Sequence, residues 1–194
     1  MSFQPTISKE EIRKLPLIVF QGTTHITDTP EKAAKAVEKL NREKLIGFDT
    51  ETKPVFKKGI THKIALVQLS TETDAYLFRI NKIGFPQSLI SLLENENILK
   101  IGADINLDLR GLKKIKPFKP AGFIDIQTMA QAAGITDLSL RKLTAIILKQ
   151  RLSKRQQLSN WEKEELTIGQ QHYAATDACT CLRMYKILNQ YQNG

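Results

Sequence analysis

Cysteine, long apolar runs and acidic residues are all scarce in this chain, and each shortage excludes a class of protein. The 194 residues include two cysteines, Cys179 and Cys181. On a helix their side chains would diverge by about 200°, so they are badly placed for a disulfide, and reduced thiols fit the cytoplasm. A zinc site that combines them with His172 is disfavoured, because no C-x-x-C pair or second histidine lies nearby.

The lack of long apolar runs indicates where the protein is located, and the low number of acidic residues indicates what it binds. No stretch approaches the length of a membrane span, and the polar N-terminus does not resemble a signal peptide, so we expect a soluble cytoplasmic protein with no membrane partner. Lys and Arg number 29 against 20 Asp and Glu, which gives a net charge of +9 and a pI near 9.5. This balance favours a polyanionic partner, nucleic acid first, although scattered surface lysines can produce the same total.

The length and the hydrophobic pattern predict a single α/β domain over residues 1–194, with a core at about 17–190 and an N-terminal arm at 1–16. Ser8 and Glu11 fit a capping box for a short helix in the arm. Strands are predicted at 17–20, 45–52, 64–69, 75–78, 98–102 and 123–125. Helices are predicted at 30–41 (capped by Thr29, with Ala33, Ala34, Val37 and Leu40 buried), at 86–93, 104–112 and 126–133, and from 139 almost to the end with an interruption at 153–160. Short connections favour an antiparallel meander of three strands, and the later alternation of helices and strands completes a mixed sheet flanked by helices.

The stretch 45–52 runs from four apolar residues into two carboxylates. Asp49 and Glu51 are two residues apart, so in a strand they point to the same face. Two like charges at the end of a buried strand repel each other, and a hard divalent cation would remove that penalty. The alternative is a strand that has reached solvent and become polar.

Two more carboxylate sites follow. Asp104 and Asp108 lie at the start of a predicted helix, where Asp104 is favoured as an N-cap and Asp108 is either functional or solvated. Tyr173 and Asp177 lie four residues apart, so the phenol and the carboxylate share one helix face. For an isolated pair of this kind, a core tyrosine beside a surface aspartate is the commoner arrangement.

Taken in order, these three sites resemble a known family. Asp49-Thr50-Glu51, the segment 104–108 and the segment 173–177 are similar in order and spacing to the three motifs of the 3′–5′ exonucleases with four acidic residues and a tyrosine (DEDDy). The segment 152–161 resembles the S-K-x-x-x-x-S-x-W segment of Werner syndrome exonuclease-like domains, to which the chain is most similar. Ribonuclease D and the DNA polymerase I proofreading domain are further relatives. In this alignment Asp108 is the catalytic carboxylate, Asp104 takes an asparagine position, and Leu107 replaces the usual aromatic residue.

The resemblance implies a ribonuclease-H-like fold and a 3′–5′ exonuclease that releases nucleoside 5′-monophosphates from nucleic acid with a free 3′ end, single-stranded or recessed. It implies two divalent cations, Mg²⁺ or Mn²⁺, held by Asp49, Glu51, Asp108 and Asp177, with Tyr173 orienting the attacking water. DNA is the expected substrate, because no helical RNA-binding domain is recognisable after residue 190. The alternatives are a ribonuclease D-like exoribonuclease and a binding module without catalysis. A helicase or polymerase acting in trans is a conceivable partner that no residue identifies.

Other residues are candidates for contact with the nucleic acid. For Lys57 and Lys58, an ordinary solvated loop is an equally good explanation. For Arg155, Ser159 and Asn160, contact with phosphates and a purely local role are equally good explanations. Trp161 is expected to pack in the core, and His172 is expected to be structural or at the surface. The candidate contact residues are Thr50, Lys57, Lys58, Arg155, Ser159 and Asn160.

Overall fold

A computed structural model describes residues 2–55 and 62–193, in which helices and strands alternate along most of the chain. The strands are β1 (Thr23–Thr27), β2 (Leu45–Thr52), β3 (Ile64–Ser70), β4 (Asp74–Phe78), β5 (Leu99–Gly102) and β6 (Phe123–Asp125). The helices are α1 (Lys9–Lys14), α2 (Pro30–Leu40), α3 (Ile80–Ile83), α4 (Gln87–Glu94), α5 (Ile105–Ile115), α6 (Ile126–Ala132), α7 (Leu140–Leu148) and α8 (Ile168–Asn193). Within this described part, no helix is both long and apolar enough to cross a membrane.

The six strands form one mixed sheet in the order β1-β4-β3-β2-β5-β6. The strands β2, β3 and β4 pair antiparallel, which confirms the predicted meander. The strands β5 and β6 then extend the sheet in parallel from β2, and β1 adds in parallel to β4 at the other edge. The strand β2 therefore lies near the centre of the sheet, with a neighbour on each side.

Helices cover both faces of this sheet. On one face, Ile46 and Phe48 of β2 pack in a cluster with residues of α2, α4 and α5. On the other face, Leu45 and Ile101 pack with residues of α6, α7 and α8. The helix α8 approaches β2 closely at Gly47, where an added Cβ would lie 2.1 Å from the carbonyl oxygen of Ala178. A residue without a side chain is therefore required at this crossing.

The first predicted strand is wrong. Residues 17–20 form only a single bridge, between Leu17 and Arg151, and the main-chain N–H of Phe20 donates to the hydroxyl of Thr176 on α8. The edge strand is instead β1, whose threonines and isoleucine have high β propensity but whose polar composition resembles a loop. The apolar side chains of Ile18 and Phe20 are buried without belonging to the sheet.

Most of the predicted helices are confirmed, with differences at their ends. Thr29 caps α2 by accepting from the N–H of Lys32, but Ala36 is buried where Ala34 was expected, and Ala34 is exposed. The helix α5 continues to Ile115, so part of the predicted basic loop is helical. Its last turn carries two lysines, whose charge favours a helix C-terminus.

The interruption before the last helix is longer than predicted, covering residues 149–167. Lys149 adopts a left-handed conformation (φ 54°) that ends α7. The buried Arg79 then donates to the carbonyl oxygens of Lys163 and Glu164, and Trp161 is fully buried. These interactions hold a non-helical segment in place where the polar sequence alone indicated only a short break.

The N-terminal arm packs against the α6–α7 side of the domain. Its capping box is present, since Ser8 accepts from the N–H of Glu11 and the Glu11 carboxylate accepts in return. Ile7 and Ile12 belong to the core cluster of α6, α7 and α8. The N–H of Ile7 also donates to the Asp137 carboxylate at 2.9 Å.

Candidate active site

Two elements bring three carboxylates together at the carboxyl end of β2. Asp49 and Glu51 point to the face that α8 covers, and Asp177 projects from α8 toward them. One ligand oxygen from each of the three lies within 4.8 Å of the others. We call these three residues the acidic cluster. The first and third predicted sites therefore meet in space, although they are far apart in the sequence.

The environment of the acidic cluster opposes its negative charge. Burial raises the pKa of Asp49 well above its ordinary value, and the charges of Asp177 and Asp108 raise it further. Burial together with the charge of Asp49 raises the pKa of Glu51 to about 10. Burial also raises the pKa of Asp177 to about 7, although the hydrogen bond from Tyr173 acts in the opposite direction.

The acidic cluster has no balancing positive side chain in the described part of the chain. Within residues 2–55 and 62–193, none of the three carboxylates forms an ion pair with Lys, Arg or His. Crowded carboxylates without a cationic partner are costly, and oxygen donors of this kind are those that Mg²⁺ and Mn²⁺ prefer. The donor set therefore fits a hard divalent cation.

Tyr173 lies one helical turn before Asp177 and donates its hydroxyl hydrogen to that carboxylate. Burial and the nearby carboxylates raise the phenol pKa well above its ordinary value, so the group is neutral near pH 7. The Trp161 ring lies against the tyrosine, with ring centroids 6.0 Å apart. Tyr173 is therefore a hydrogen-bond donor in a fixed position and not a base. Trp161 is fully buried, which confirms the packing role expected for it.

Asp108 lies beside the acidic cluster but is not one of its members. It projects from the first turn of α5, and its Oδ1 accepts a 2.5 Å hydrogen bond from the Thr50 hydroxyl. Burial is the largest cause that raises the Asp108 pKa to about 7. Its charge in turn raises the pKa of both Asp49 and Glu51. The structure thus places Thr50 and Asp108 together on the α5 side of the same strand end.

The capping role predicted for Asp104 is wrong. Asp104 precedes α5 in a left-handed conformation (φ 56°), and its side chain makes no capping hydrogen bond with the described residues. The N–H of Ile105 instead donates to the Asp125 carboxylate at 3.2 Å, and that carboxylate also caps α6 through the N–H of Gln127. One aspartate, which the sequence pattern placed only in a short strand, therefore fixes the starts of two helices.

A groove of about 220 Å³ opens beside Tyr173 and Asp177, and we call it the active-site groove. Residues 17–19 line one part of it, because this segment crosses α8 rather than joining the sheet. Arg155, an expected nucleic-acid contact, is exposed and lines another part, together with Leu152. His172 is exposed and also lines the groove, which confirms its surface position.

The remaining candidate contacts lie elsewhere. The Asn160 side chain accepts from the N–H of Glu162 and so stabilises a local turn. Ser159, in the same segment, donates its main-chain N–H to Gln156 and does not line the groove. Lys57 and Lys58 lie outside the described residues, so their predicted role stays a prediction.

Gln68 is a neighbour of the site that the sequence pattern did not single out. It pairs with Asp49 across β2 and β3, and neither of its buried amide atoms has a hydrogen-bond partner among the described residues. The sequence signal that could have identified it is a single amide residue inside the apolar run of β3. A buried amide needs polar partners, so its presence in such a run indicates a polar site nearby.

Comparison with known proteins agrees with this geometry. A family model described as 3′–5′ exonuclease matches residues 24–191. The mouse (Mus musculus) bifunctional 3′–5′ exonuclease/ATP-dependent helicase WRN is 35% identical over 184 residues, which cover 90% of this chain and 13% of that protein. A ribonuclease D from Gluconacetobacter diazotrophicus is 26% identical over 162 residues, which cover 82% of this chain and 41% of that one. The chain thus spans less than half the length of either relative.

Solved structures show the same architecture. The Nibbler EXO domain of Aedes aegypti superposes with a TM-score of 0.78 at 23% identity and covers 88% of each chain. The mixed sheet with flanking helices is therefore the ribonuclease-H-like fold that the motifs implied. Since the family model covers most of the sequence, the chain belongs to the 3′–5′ exonuclease family.

Proposed function

We propose that this chain is a metal-dependent 3′–5′ exonuclease that hydrolyses phosphodiester bonds at nucleic-acid 3′ ends and releases nucleoside 5′-monophosphates. The observation that carries the proposal is the acidic cluster, three carboxylates within 4.8 Å that lack a cationic partner among the described residues. Such a cluster is unfavourable in the free protein and becomes favourable when it binds cations.

The side chains divide naturally between two ions. Asp49, Glu51 and Asp177 would hold one ion, and Asp49 together with Asp108 would serve the second. When bound, Mg²⁺ or Mn²⁺ ions neutralise phosphate charge and make water a better nucleophile. We thus propose two ions, either Mg²⁺ or Mn²⁺, and a ligand role for Asp108, although this residue lies outside the acidic cluster.

Tyr173 acts in this proposal by orienting the attacking water. Its raised pKa keeps the phenol protonated, so it cannot remove a proton from the water. While its hydrogen is donated to Asp177, its oxygen can accept a hydrogen bond from the water. Trp161 packs against the ring and limits its movement. The tyrosine is therefore a positioned hydroxyl group that would link Asp177 to the attacking water.

DNA is the proposed substrate, with RNA as the alternative. The higher identity to WRN, together with the Werner-like segment 152–161, supports the first proposal. The similarity to ribonuclease D supports the second. A digestion series on matched strands separates the two.

The test uses the full chain with 5′-labelled single-stranded DNA, recessed duplex DNA and RNA, in Mg²⁺ or Mn²⁺. Stepwise shortening from the 3′ end with release of nucleoside 5′-monophosphates is expected. Asp49→Asn and Asp177→Asn should abolish it. Asp104→Asn is the matched control, because it removes a nearby carboxylate outside the acidic cluster and asparagine tolerates a left-handed backbone.

Two results would contradict the proposal. Binding of strands without cation-dependent cleavage by the wild type would support a non-catalytic binding module. Undiminished cleavage by both cluster variants would show that the acidic cluster is not the catalytic site.

A further inference from the structure

A second charged site lies on the other side of Leu152 from the acidic cluster. It is a cavity of about 500 Å³ between α1, the first turn of α7 and residues 151–154. Among the described residues, none of those that line it is acidic. We call it the basic cavity, and its cationic lining residues are Lys9, Arg13, Arg141, Lys142, Arg151 and Lys154.

Most of this positive charge is uncompensated. Lys142 pairs with Asp137 at 2.5 Å. The other five cations form no ion pair within the part of the chain that the structure describes. Arg151 donates its Nε hydrogen to the carbonyl oxygen of Leu15, a neutral acceptor, and the buried Nε of Arg141 has no acceptor among the residues described. Five like charges around one cavity favour an anionic ligand with more than one charge.

The start of α7 adds to this preference. Ser139 caps the helix without a side-chain hydrogen bond to the described residues, and the first turn contains no acidic residue. The N-terminal end of a helix carries partial positive charge from its free N–H groups. In this helix Arg141 and Lys142 lie in the first turn, so the helix end and its side chains have the same sign.

The basic cavity is adjacent to the active-site groove. Leu152 lines both, while Lys154 lines the cavity and Arg155 lines the groove. A chain of phosphates leaving the acidic cluster along residues 152–155 would therefore reach the basic cavity. A flat membrane surface or a separate acidic peptide would not require this continuity.

We propose that the basic cavity binds backbone phosphates of the same nucleic-acid strand whose 3′ end lies at the acidic cluster. This inference rests on the proposed function. It assigns to the N-terminal arm, which lies before the residues matched by the family model, a role in holding longer strands. The arm and α7 thereby make affinity depend on strand length.

The test compares the double variant Arg13→Ala/Lys154→Ala with the wild type. Both residues are exposed and form no ion pair among the described residues. A control, Lys35→Ala/Lys39→Ala on α2, changes the net charge equally on a helix that packs with the opposite face of the sheet. KM and its salt dependence are measured for single strands of increasing length, and melting temperatures confirm that each variant folds.

For the wild type, KM should fall as the strand lengthens enough to reach the basic cavity. In the double variant, the KM for long strands should rise roughly tenfold, because two exposed charge contacts are lost and each contributes about threefold. The slope of log KM against log salt should fall by about 0.7 for each phosphate that the protein no longer neutralises. The control should keep the length dependence of the wild type.

An unchanged length dependence in the double variant, or an equal change in the control, would overturn the inference. If the double variant melts early, the single variants Arg13→Ala and Lys154→Ala decide by the same measurement. Loss of binding to anionic vesicles with unchanged strand binding would also overturn it and indicate a membrane site. Failure of the proposed function is distinct, because the wild type would then digest no strand of any length.

Discussion

The acidic cluster and the basic cavity each bring together side chains of like charge, but they accommodate that charge in opposite ways. In the acidic cluster the charges are crowded at the end of a central strand, and the protein raises their pKa values instead of pairing them. In the basic cavity the charges lie on longer side chains around an open volume, where water screens them. Crowding makes the first site costly without a small ion, whereas the second tolerates an absent ligand. We therefore expect substitutions in the first to affect chemistry and stability, and those in the second to affect affinity.

Beyond the two variants expected to abolish digestion, Glu51→Gln should have the largest effect on catalysis. Loss of one carboxylate ligand should reduce kcat/KM by about three orders of magnitude, because several kcal/mol of transition-state stabilisation are lost and each ~1.4 kcal/mol is tenfold. The measurement is steady-state digestion at saturating Mg²⁺. Glu165→Gln is the control, because this exposed carboxylate of the 149–167 segment forms no ion pair among the described residues. If only KM changed, Glu51 would act on substrate affinity, and the expected difference between a site for chemistry and a site for affinity would be contradicted.

Tyr173→Phe should lower kcat by about a hundredfold while cation binding is retained, since it removes the hydroxyl that would orient the water and its hydrogen bond to Asp177 but none of the carboxylates. The measurement pairs kcat with the rise in melting temperature on adding Mn²⁺. Tyr185→Phe, on the same helix in the α6–α8 core cluster, is the matched control. An equal loss in the control would assign the effect to packing of α8.

Without divalent cations, Asp177→Asn should increase the free energy of unfolding at about pH 7.5 by a few kcal/mol, because a carboxyl with a raised folded pKa opposes folding once ionised. The folded pKa of Asp177 is about 7, above the ordinary 3.8. Stability from this group is fully present below about pH 4 and is lost as pH rises through about 7.

The advantage of the Asp177→Asn variant over the wild type should therefore shrink toward pH 4, as measured by urea denaturation across that range. Adding Mg²⁺ should stabilise the wild type and not the variant. If the variant were less stable than the wild type at every pH without cations, the ionised Asp177 carboxylate would not oppose folding.

The smallest expected effect is that of Thr50→Val. It removes the hydrogen bond to Asp108, so the pKa of that carboxyl should rise and kcat/KM should fall about tenfold, the value of one hydrogen bond to a charged group. Activity is measured against Thr52→Val, which changes an exposed threonine at the end of the same strand. No difference between the two would argue that Asp108 does not take part in the reaction.

The central strand and the residues of the acidic cluster could be predicted from the sequence, because their signals are local. Asp49 and Glu51 follow from strand alternation, and Tyr173 and Asp177 follow from helical spacing. The meander was predictable from its short connections. That the two pairs meet could be expected only from the resemblance to a family, since nothing local specifies which strand end α8 crosses.

Other features depend on contacts distant in sequence and were not predictable in this way. Residues 17–20 have a strand composition, yet their main chain bonds to Thr176 and Arg151 instead of to the sheet. Arg79 stabilises a non-helical segment more than eighty residues away. The carboxylate of Asp125, twenty residues further on, accepts from the N–H of Ile105 at the start of α5, whereas Asp104 has a left-handed backbone and makes no side-chain capping bond among the described residues.

The close approach at Gly47 bears on the size of the ion that the proposed metal site would accept. An added Cβ would lie 2.1 Å from the Ala178 carbonyl oxygen and 2.6 Å from the Ser70 hydroxyl, so any side chain there would push α8 away from β2. Asp177 is on the same helix, immediately before Ala178, and would move with it. Oxygen distances are about 2.0–2.1 Å for Mg²⁺ and about 2.3–2.6 Å for Ca²⁺, so a shift of a few tenths of an ångström changes which ion fits. In the metal site proposed above, a glycine that contacts neither ion nor substrate would thus help to set the selectivity between small and large cations.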